Sequence, residues 1–124
     1  MCYIQYNADM MDEKIQEAVE KLRQEMRRGT IVLAVMSCLR QPQYGYALLS
    51  ELNETGLEVG QDTLYPLLRR LEEQGLLQSE WRVEDPRPRR YYQLNPDGEQ
   101  VLVQLTAEWK KINQVLRRMT NETE

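Results

Sequence analysis

The stretch from Asp62 to Leu94, DTLYPLLRRLEEQGLLQSEWRVEDPRPRRYYQL, leaves few ways to fold. It reads as a helix followed by two strands that meet at an arginine-rich tip. Leu64, Leu67, Leu68 and Leu71 recur at i, i+3, i+4 and i+7, the apolar stripe of a helix buried on one side. Tyr65, Arg69 and Arg70 fall off that stripe and are left for a partner. Pro66 has no N–H to give, which places it in the first turn with the cap near Asp62 or Thr63. Gly75 is the expected stop. Leu77, Ser79, Trp81 and Val83 then alternate with Gln78, Glu80 and Arg82, the period of a half-buried strand with Trp81 in the core. Glu84-Asp85-Pro86-Arg87-Pro88 is expected to end the ladder and form the tip, and Arg89 to Leu94 returns as the second strand.

A helix followed by a basic-tipped hairpin is the pattern of a winged helix-turn-helix. Its chemistry suits duplex DNA, because a helix fits the major groove and arginines on a projecting loop can pair with phosphates or enter a minor groove. The plain alternative is a solvated helix face beside an ordinary hairpin. The upstream chain supplies the remaining helices. Ile31 to Arg40, with Thr30 as cap, is apolar nearly all round, and Gln41-Pro42-Gln43 breaks it. Tyr44-Gly45-Tyr46 opens a helix to about Thr55, with Ala47, Leu48, Leu49 and Leu52 inward and Gly56 as its stop. Leu57 to Gly60 links it to the first helix described.

Both ends carry narrow apolar seams. Met11, Ile15, Ala18, Val19, Leu22 and Met26 mark a helix over 10–28, expected to end at Gly29; residues 1–9 lack periodicity and read as a loose tail. Asn95 is a good cap, Pro96 suits the first helical position, and Asp97 favours the positive helix end. Leu102, Leu105, Trp109, Ile112, Leu116 and Met119 then alternate spacings of three and four, a seam that continues to residue 119. Residues 120–124 form a polar tail. A long helix with such a seam needs a partner, and a two-fold dimer supplies one. The fold expected is therefore mainly α with a small β-hairpin: a winged helix-turn-helix over 29–95 between an N-terminal helix (10–28) and a C-terminal dimerisation helix (96–119).

At 124 residues and 41% hydrophobic content, the chain is sized for one soluble domain with a real core. No apolar run nears the roughly 18 residues of a membrane span. Met1 to Tyr6 lacks the basic start and apolar stretch of a signal peptide, so a cytoplasmic location is expected. Cys2 and Cys38 are too few for a disulfide framework or zinc site; Cys38 reads as reduced and buried, Cys2 as incidental. The absence of histidine removes the commonest general base and metal ligand. No nucleophile motif or phosphate-cradling glycine loop is present, so neither an enzyme nor a cofactor is expected. The net charge of −4 counts against DNA only until it is localised. Gly60 to Tyr92 holds six arginines and six acids, but the arginines group at 69–70 and 87–90. A modest positive field and strong salt dependence follow.

Tyr44-Gly45-Tyr46, the block from Asp62 to Glu72, Gly75-Leu76-Leu77, Trp81, Arg89 to Leu94 and Gly98 together resemble the PadR family of transcriptional regulators, from about Gly29 to Met119. Asn95 stands where that family usually has Thr, and the tip is proline-rich and acidic, without the glycine often found there. The resemblance implies a homodimeric DNA-binding regulator, as in short members with a single C-terminal helix. Candidate DNA contacts are Thr63, Tyr65, Arg69 and Arg70 on the recognition helix and Arg87, Arg89 and Arg90 on the wing, with Tyr44 and Gln61 as lesser phosphate contacts. Tyr46 either packs or donates to phosphate. The dimer seam is Leu102, Leu105, Trp109, Ile112, Leu116 and Met119, with Ile15, Val19 and Leu22 from the first helix. The function expected is a repressor acting on a palindromic operator in double-stranded DNA, relieved by a small aromatic effector held at Trp109. The alternative is a winged-helix module that binds protein rather than DNA.

Overall fold

The computed structural model describes the backbone of residues 2–84 and 86–120, with side chains from Asp12 onward. Of the expected tail at 120–124, residues 121–124 lie outside the described residues. The chain divides after Ile31 into two units. The first is helix α1 (Cys2–Cys38) up to that point, and its apolar stripe is bare: Ile15, Val19, Leu22 and Met26 are all exposed. Two expectations need correction. Residues from Cys2 to Asp9 belong to this helix instead of a loose tail, and the helix passes through Gly29 without stopping. A glycine within a helix costs about 1 kcal/mol against alanine but keeps its N–H and needs no left-handed turn. Thr30 does not cap a new helix either; its hydroxyl donates back to the Met26 carbonyl at 3.4 Å, a mid-helix habit.

The second unit begins with the last residues of α1. It continues through β1 (Gln43–Tyr44), α2 (Gly45–Glu54), α3 (Gln61–Glu73), β2 (Leu77–Glu84), β3 (Arg87–Leu94) and α4 (Pro96–Met119). The four leucines of α3 are buried as their spacing requires, against Val35, Met36 and Leu39 of α1, Leu48 and Leu52 of α2, Val59, Leu77, Leu94 and Leu102 in one core. Among the described residues no polar side chain is buried, and no buried side-chain nitrogen or oxygen lacks a partner. Cys38 is only half-buried. Burial, with Glu51 beside it, pushes its thiol pKa up, which keeps it protonated and unreactive.

The α2–α3 link is held by one side chain. Asn53 donates to the Val59 carbonyl at 3.0 Å and accepts from the Val59 N–H at 3.2 Å, while Gly56 turns the chain at φ +102°. Helix α3 is capped at Gly60, two to three residues before the expected cap, so Pro66 is its sixth residue and lies inside it. The hydrogen bond that Pro66 cannot make would have gone to Asp62, which is exposed and can turn its carbonyl to water. The helix ends in a Schellman turn: Leu76 N–H donates to Leu71 and Gly75 N–H to Glu72, both at 3.0 Å, with Gly75 at φ +79°.

The sheet is antiparallel in the order β1-β3-β2, and the two-residue strand β1 was not foreseen from the sequence. The hairpin register runs from Leu77 opposite Leu94 to Glu84 opposite Arg87, so Glu84, Arg87 and Pro88 extend the ladder where a wider tip was expected. β1 reaches only Tyr91 and Tyr92; Pro88 therefore sits where β3 has a neighbour on one side, a place that tolerates proline.

A single residue, Asn95, joins β3 to α4. Its side chain accepts from the Gly98 N–H and donates to the Gly75 carbonyl, both at 2.8 Å, and its N–H donates to the Leu76 carbonyl at 3.1 Å. The Asn95 cap foreseen from the sequence is thus also a clamp on the end of α3. Gly98 completes the junction: a Cβ there would strike the Leu76 carbonyl oxygen and approach Leu94 within 2.8 Å. Asn95→Ala should lower stability by about 1–2 kcal/mol, the loss of a cap. Gly98→Ala should lower it by roughly 2–3 kcal/mol, because backbone must move to admit the methyl. Urea denaturation at one protein concentration checks both; a harmless Gly98→Ala would refute the close approach.

Candidate nucleic-acid interface

Helix α3 buries its leucines and turns Gln61, Thr63, Tyr65, Arg69 and Arg70 to solvent, so every candidate contact on this helix is exposed. The two helices of the motif meet closely at Gly45. A Cβ there would lie 2.5 Å from the Tyr65 hydroxyl, so glycine at the start of α2 lets the Tyr65 ring pack against it.

The hairpin arginines are unlike one another. Arg87 is exposed at the tip. Arg89 lies over the Tyr44 ring at 4.4 Å, and its guanidinium is 3.8 Å from Glu84. Arg90 is committed elsewhere: it bonds Glu72 of α3 at 3.0 and 3.1 Å and Ser79 at 3.0 and 3.1 Å. Ser79 in turn donates to Glu72 at 2.6 Å. Arg90, expected as a DNA contact on the wing, thus also ties the hairpin to the recognition helix. Arg82 pairs with Glu80 at 2.7 Å and covers the Tyr91 ring at 4.2 Å.

Tyr44 meets Tyr91 edge to face at 5.5 Å, which explains its place in β1 as the residue before α2. The Tyr91 hydroxyl donates to Glu84 at 2.8 Å, and that bond is the first cause of its raised pKa. Burial raises that of Tyr92. Both phenols stay neutral near pH 7.

An open groove of about 410 Å³ lies between the start of α2, α3 and the hairpin. It brings together Tyr44, Tyr65, Arg87, Arg89 and Arg90 from the expected set, and adds Tyr46, Trp81 and Tyr92. Gln61, Thr63, Arg69 and Arg70 belong to α3 outside its lining. Trp81 was expected in the core, yet it is 67% exposed. The alternation of β2 correctly puts it on the face of Leu77 and Ser79, but periodicity does not say how far the body of the domain extends beneath that face.

The expected seam also divides. Leu102 is fully buried in the winged domain, so it is core and leaves the seam; Leu105, Trp109, Ile112, Leu116 and Met119 are exposed along α4, as are Ile15, Val19 and Leu22 on α1. Among the described residues, no group of three or more potential ligands could hold a metal, and no helix is long and apolar enough to cross a membrane.

The model of the PadR-like transcriptional regulator family matches residues 32–104. The chain belongs to that family. It is 40% identical over 81 residues to the transcriptional regulator Rv3488 of Mycobacterium tuberculosis, covering 64% of this chain and 76% of that protein. The crystal structure of a PadR family transcriptional regulator from Eggerthella lenta is 41% identical with a TM-score of 0.83, over 90% of this chain and 99% of that one. A PadR-like transcription factor from Bacteroides fragilis is 36% identical with a TM-score of 0.67, over 80% and 98% of the two chains. The family is one of transcriptional regulators rather than enzymes.

Within this PadR-like frame the Arg90–Glu72 contact is half-exposed and screened, so its strength is modest. Arg90→Ala and Glu72→Ala should each destabilise the protein, with a coupling of about 0.5–1 kcal/mol in a double-mutant cycle. Additive effects would show that the pair does not hold the hairpin.

Proposed function

We propose that the protein is a homodimeric repressor that binds a palindromic operator in duplex DNA, with α3 in the major groove and the hairpin beside it. The observation that carries this is the division of α3 into a fully buried leucine face and an outer face of Thr63, Tyr65, Arg69 and Arg70. Among the described residues, Arg69, Arg70 and Arg87 have no carboxylate within ion-pair distance, so their charge is available to phosphates. Duplex affinity should fall steeply with salt as counterions are released. Arg70→Ala should lower it and flatten the slope of log affinity against log salt by about one unit per subunit. An affinity indifferent to salt would favour the alternative, a module that binds protein. Repression itself predicts that deleting the protein raises expression from a reporter carrying its operator.

The second copy is supported by the bare seams. Leu105, Trp109, Ile112, Leu116 and Met119 expose a continuous apolar row on α4, and Ile15, Val19 and Leu22 another on α1. A two-fold dimer would cover them and duplicate α3, which suits two half-sites. Leu105→Glu or Ile112→Glu would put an unpaired charge in that contact, at several kcal/mol. Sedimentation should then show monomer or unfolded protein; a variant still dimeric at micromolar concentration would place the dimer contact elsewhere.

The effector reading rests on Trp109, 45% exposed midway along the α4 row. Two such indoles near a two-fold axis could hold a planar aromatic guest that prefers one spacing of the wings. Saturable quenching of tryptophan emission by phenolic or cationic aromatics should vanish in Trp109→Ala; quenching undiminished there would move the site to Trp81.

A further inference from the structure

We propose that the free edge of β2 docks β2 of a second copy, joining two sheets into one through an antiparallel pairing centred on Trp81. This contact is separate from the helical seams and from the DNA-binding reading above.

The sheet order β1-β3-β2 leaves β2 with a neighbour on one side only. The hairpin register tells which of its backbone groups point away from that neighbour. Pro88 has no N–H, so Val83 and Pro88 are a pair that does not exchange hydrogen bonds. Such pairs recur at every second position of an antiparallel ladder, so Trp81 with Arg90 and Ser79 with Tyr92 belong to the same class. Ser79, Trp81 and Val83 therefore turn their N–H and C=O outward. Among the described residues, none of these groups is bonded to anything beyond the sheet. A bare strand edge with Trp81 67% and Val83 90% exposed is a template for another strand.

The charges on β2 name the strand that fits. Edges are often blunted by like charges, lysine above all. β2 instead alternates the sign along its other face, with Glu80, Arg82 and Glu84. An antiparallel copy centred on Trp81 sets Glu80 opposite Arg82 of that copy, and Arg82 opposite its Glu80. Trp81 meets the same residue of the copy, and Val83 meets Ser79. The outward groups of Trp81 then bond to those of its counterpart, and the charges fall at the closer, non-bonded pairs. Glu80 and Arg82 already lie 2.7 Å apart within one chain, so the four charges form a square of alternating sign. Sliding the copies by two residues sets Glu80 against Glu80 or Arg82 against Arg82. Sliding by one residue turns outward groups against inward ones. The other charge-matched register, centred on Val83, pairs only Arg82 to Glu84, whereas the Trp81 register pairs Gln78 to Glu84. The contact is two-fold, so where the helical seams already pair two chains, the edge links one such dimer to the next.

The test uses the full chain with one added cysteine. In the Trp81 register the two Trp81 Cα atoms lie about 5.5 Å apart, within disulfide reach. The two Val83 Cα atoms lie roughly 14 Å apart, beyond it. In oxidised glutathione, Trp81→Cys is expected to give a covalent dimer on a non-reducing gel, several-fold above wild type, which reads any disulfide through Cys2 or Cys38. Val83→Cys, at the more exposed position, should give no more than wild type. Glu80→Arg added to Trp81→Cys should cut the yield several-fold, and Arg82→Glu added to both should restore it. Equal crosslinking of the two cysteine variants, crosslinking of Val83→Cys alone, or none above wild type would each overturn the pairing. A yield unmoved by Glu80→Arg, or not recovered by the charge swap, would overturn it too. None of these outcomes touches DNA binding by α3 or the helical seams.

Discussion

Everything in the second unit depends on the burial of one helix face. Leu64, Leu67, Leu68 and Leu71 of α3 are the meeting point of the last turns of α1, of α2, of the base of the hairpin and of the first turns of α4. A helix that commits this stripe to a core has its opposite side decided for it: Thr63, Tyr65, Arg69 and Arg70 can only face out. The functional surface is thus the reverse side of the hydrophobic core. Its orientation is as rigid as the packing behind it, because well-packed interiors do not deform continuously.

Electrostatics then decide which cations on that surface are usable. An acidic chain keeps a basic face by pairing some arginines internally and leaving others unpaired. Arg82, Arg89 and Arg90 lie near Glu80, Glu84 and Glu72, and each also lies over a tyrosine ring. Arg82 and Arg89 pair with acids of the hairpin itself, and Arg90 ties the hairpin to α3. The cations left over stand at the tip and on the recognition helix. Adding arginine to such a wing is therefore not equivalent to adding affinity; position relative to the acids decides.

Much of this was legible in the residues because it is local. The α3 stripe, the turns at Gly56 and Gly75, the Asn95 cap and the hairpin all follow from period and capping chemistry. What was not legible depended on tertiary reach. Gly29 looked like a stop, but it does not take the left-handed conformation that ends helices at Gly56 and Gly75, and the helix runs on through it. Pro66 looked like a first-turn residue because sequence alone does not reveal that the cap is Gly60. Leu102 and Leu105 share a seam by spacing, yet the domain covers only the first. Arg90 looked like its neighbour Arg89; only the fold brings Glu72 and Ser79 to it.

The junction at Asn95 has a mechanical consequence. Strand β3 passes into α4 through that one residue, which is bonded on both sides to the end of α3 and to the first turn of α4. There is no slack in the joint. α4 extends about 36 Å from it at 1.5 Å per residue, so it acts as a long arm on a short, stiff fulcrum. A small rotation imposed at the far end of that arm either turns β3, and the hairpin with it, or breaks the bonds at the fulcrum.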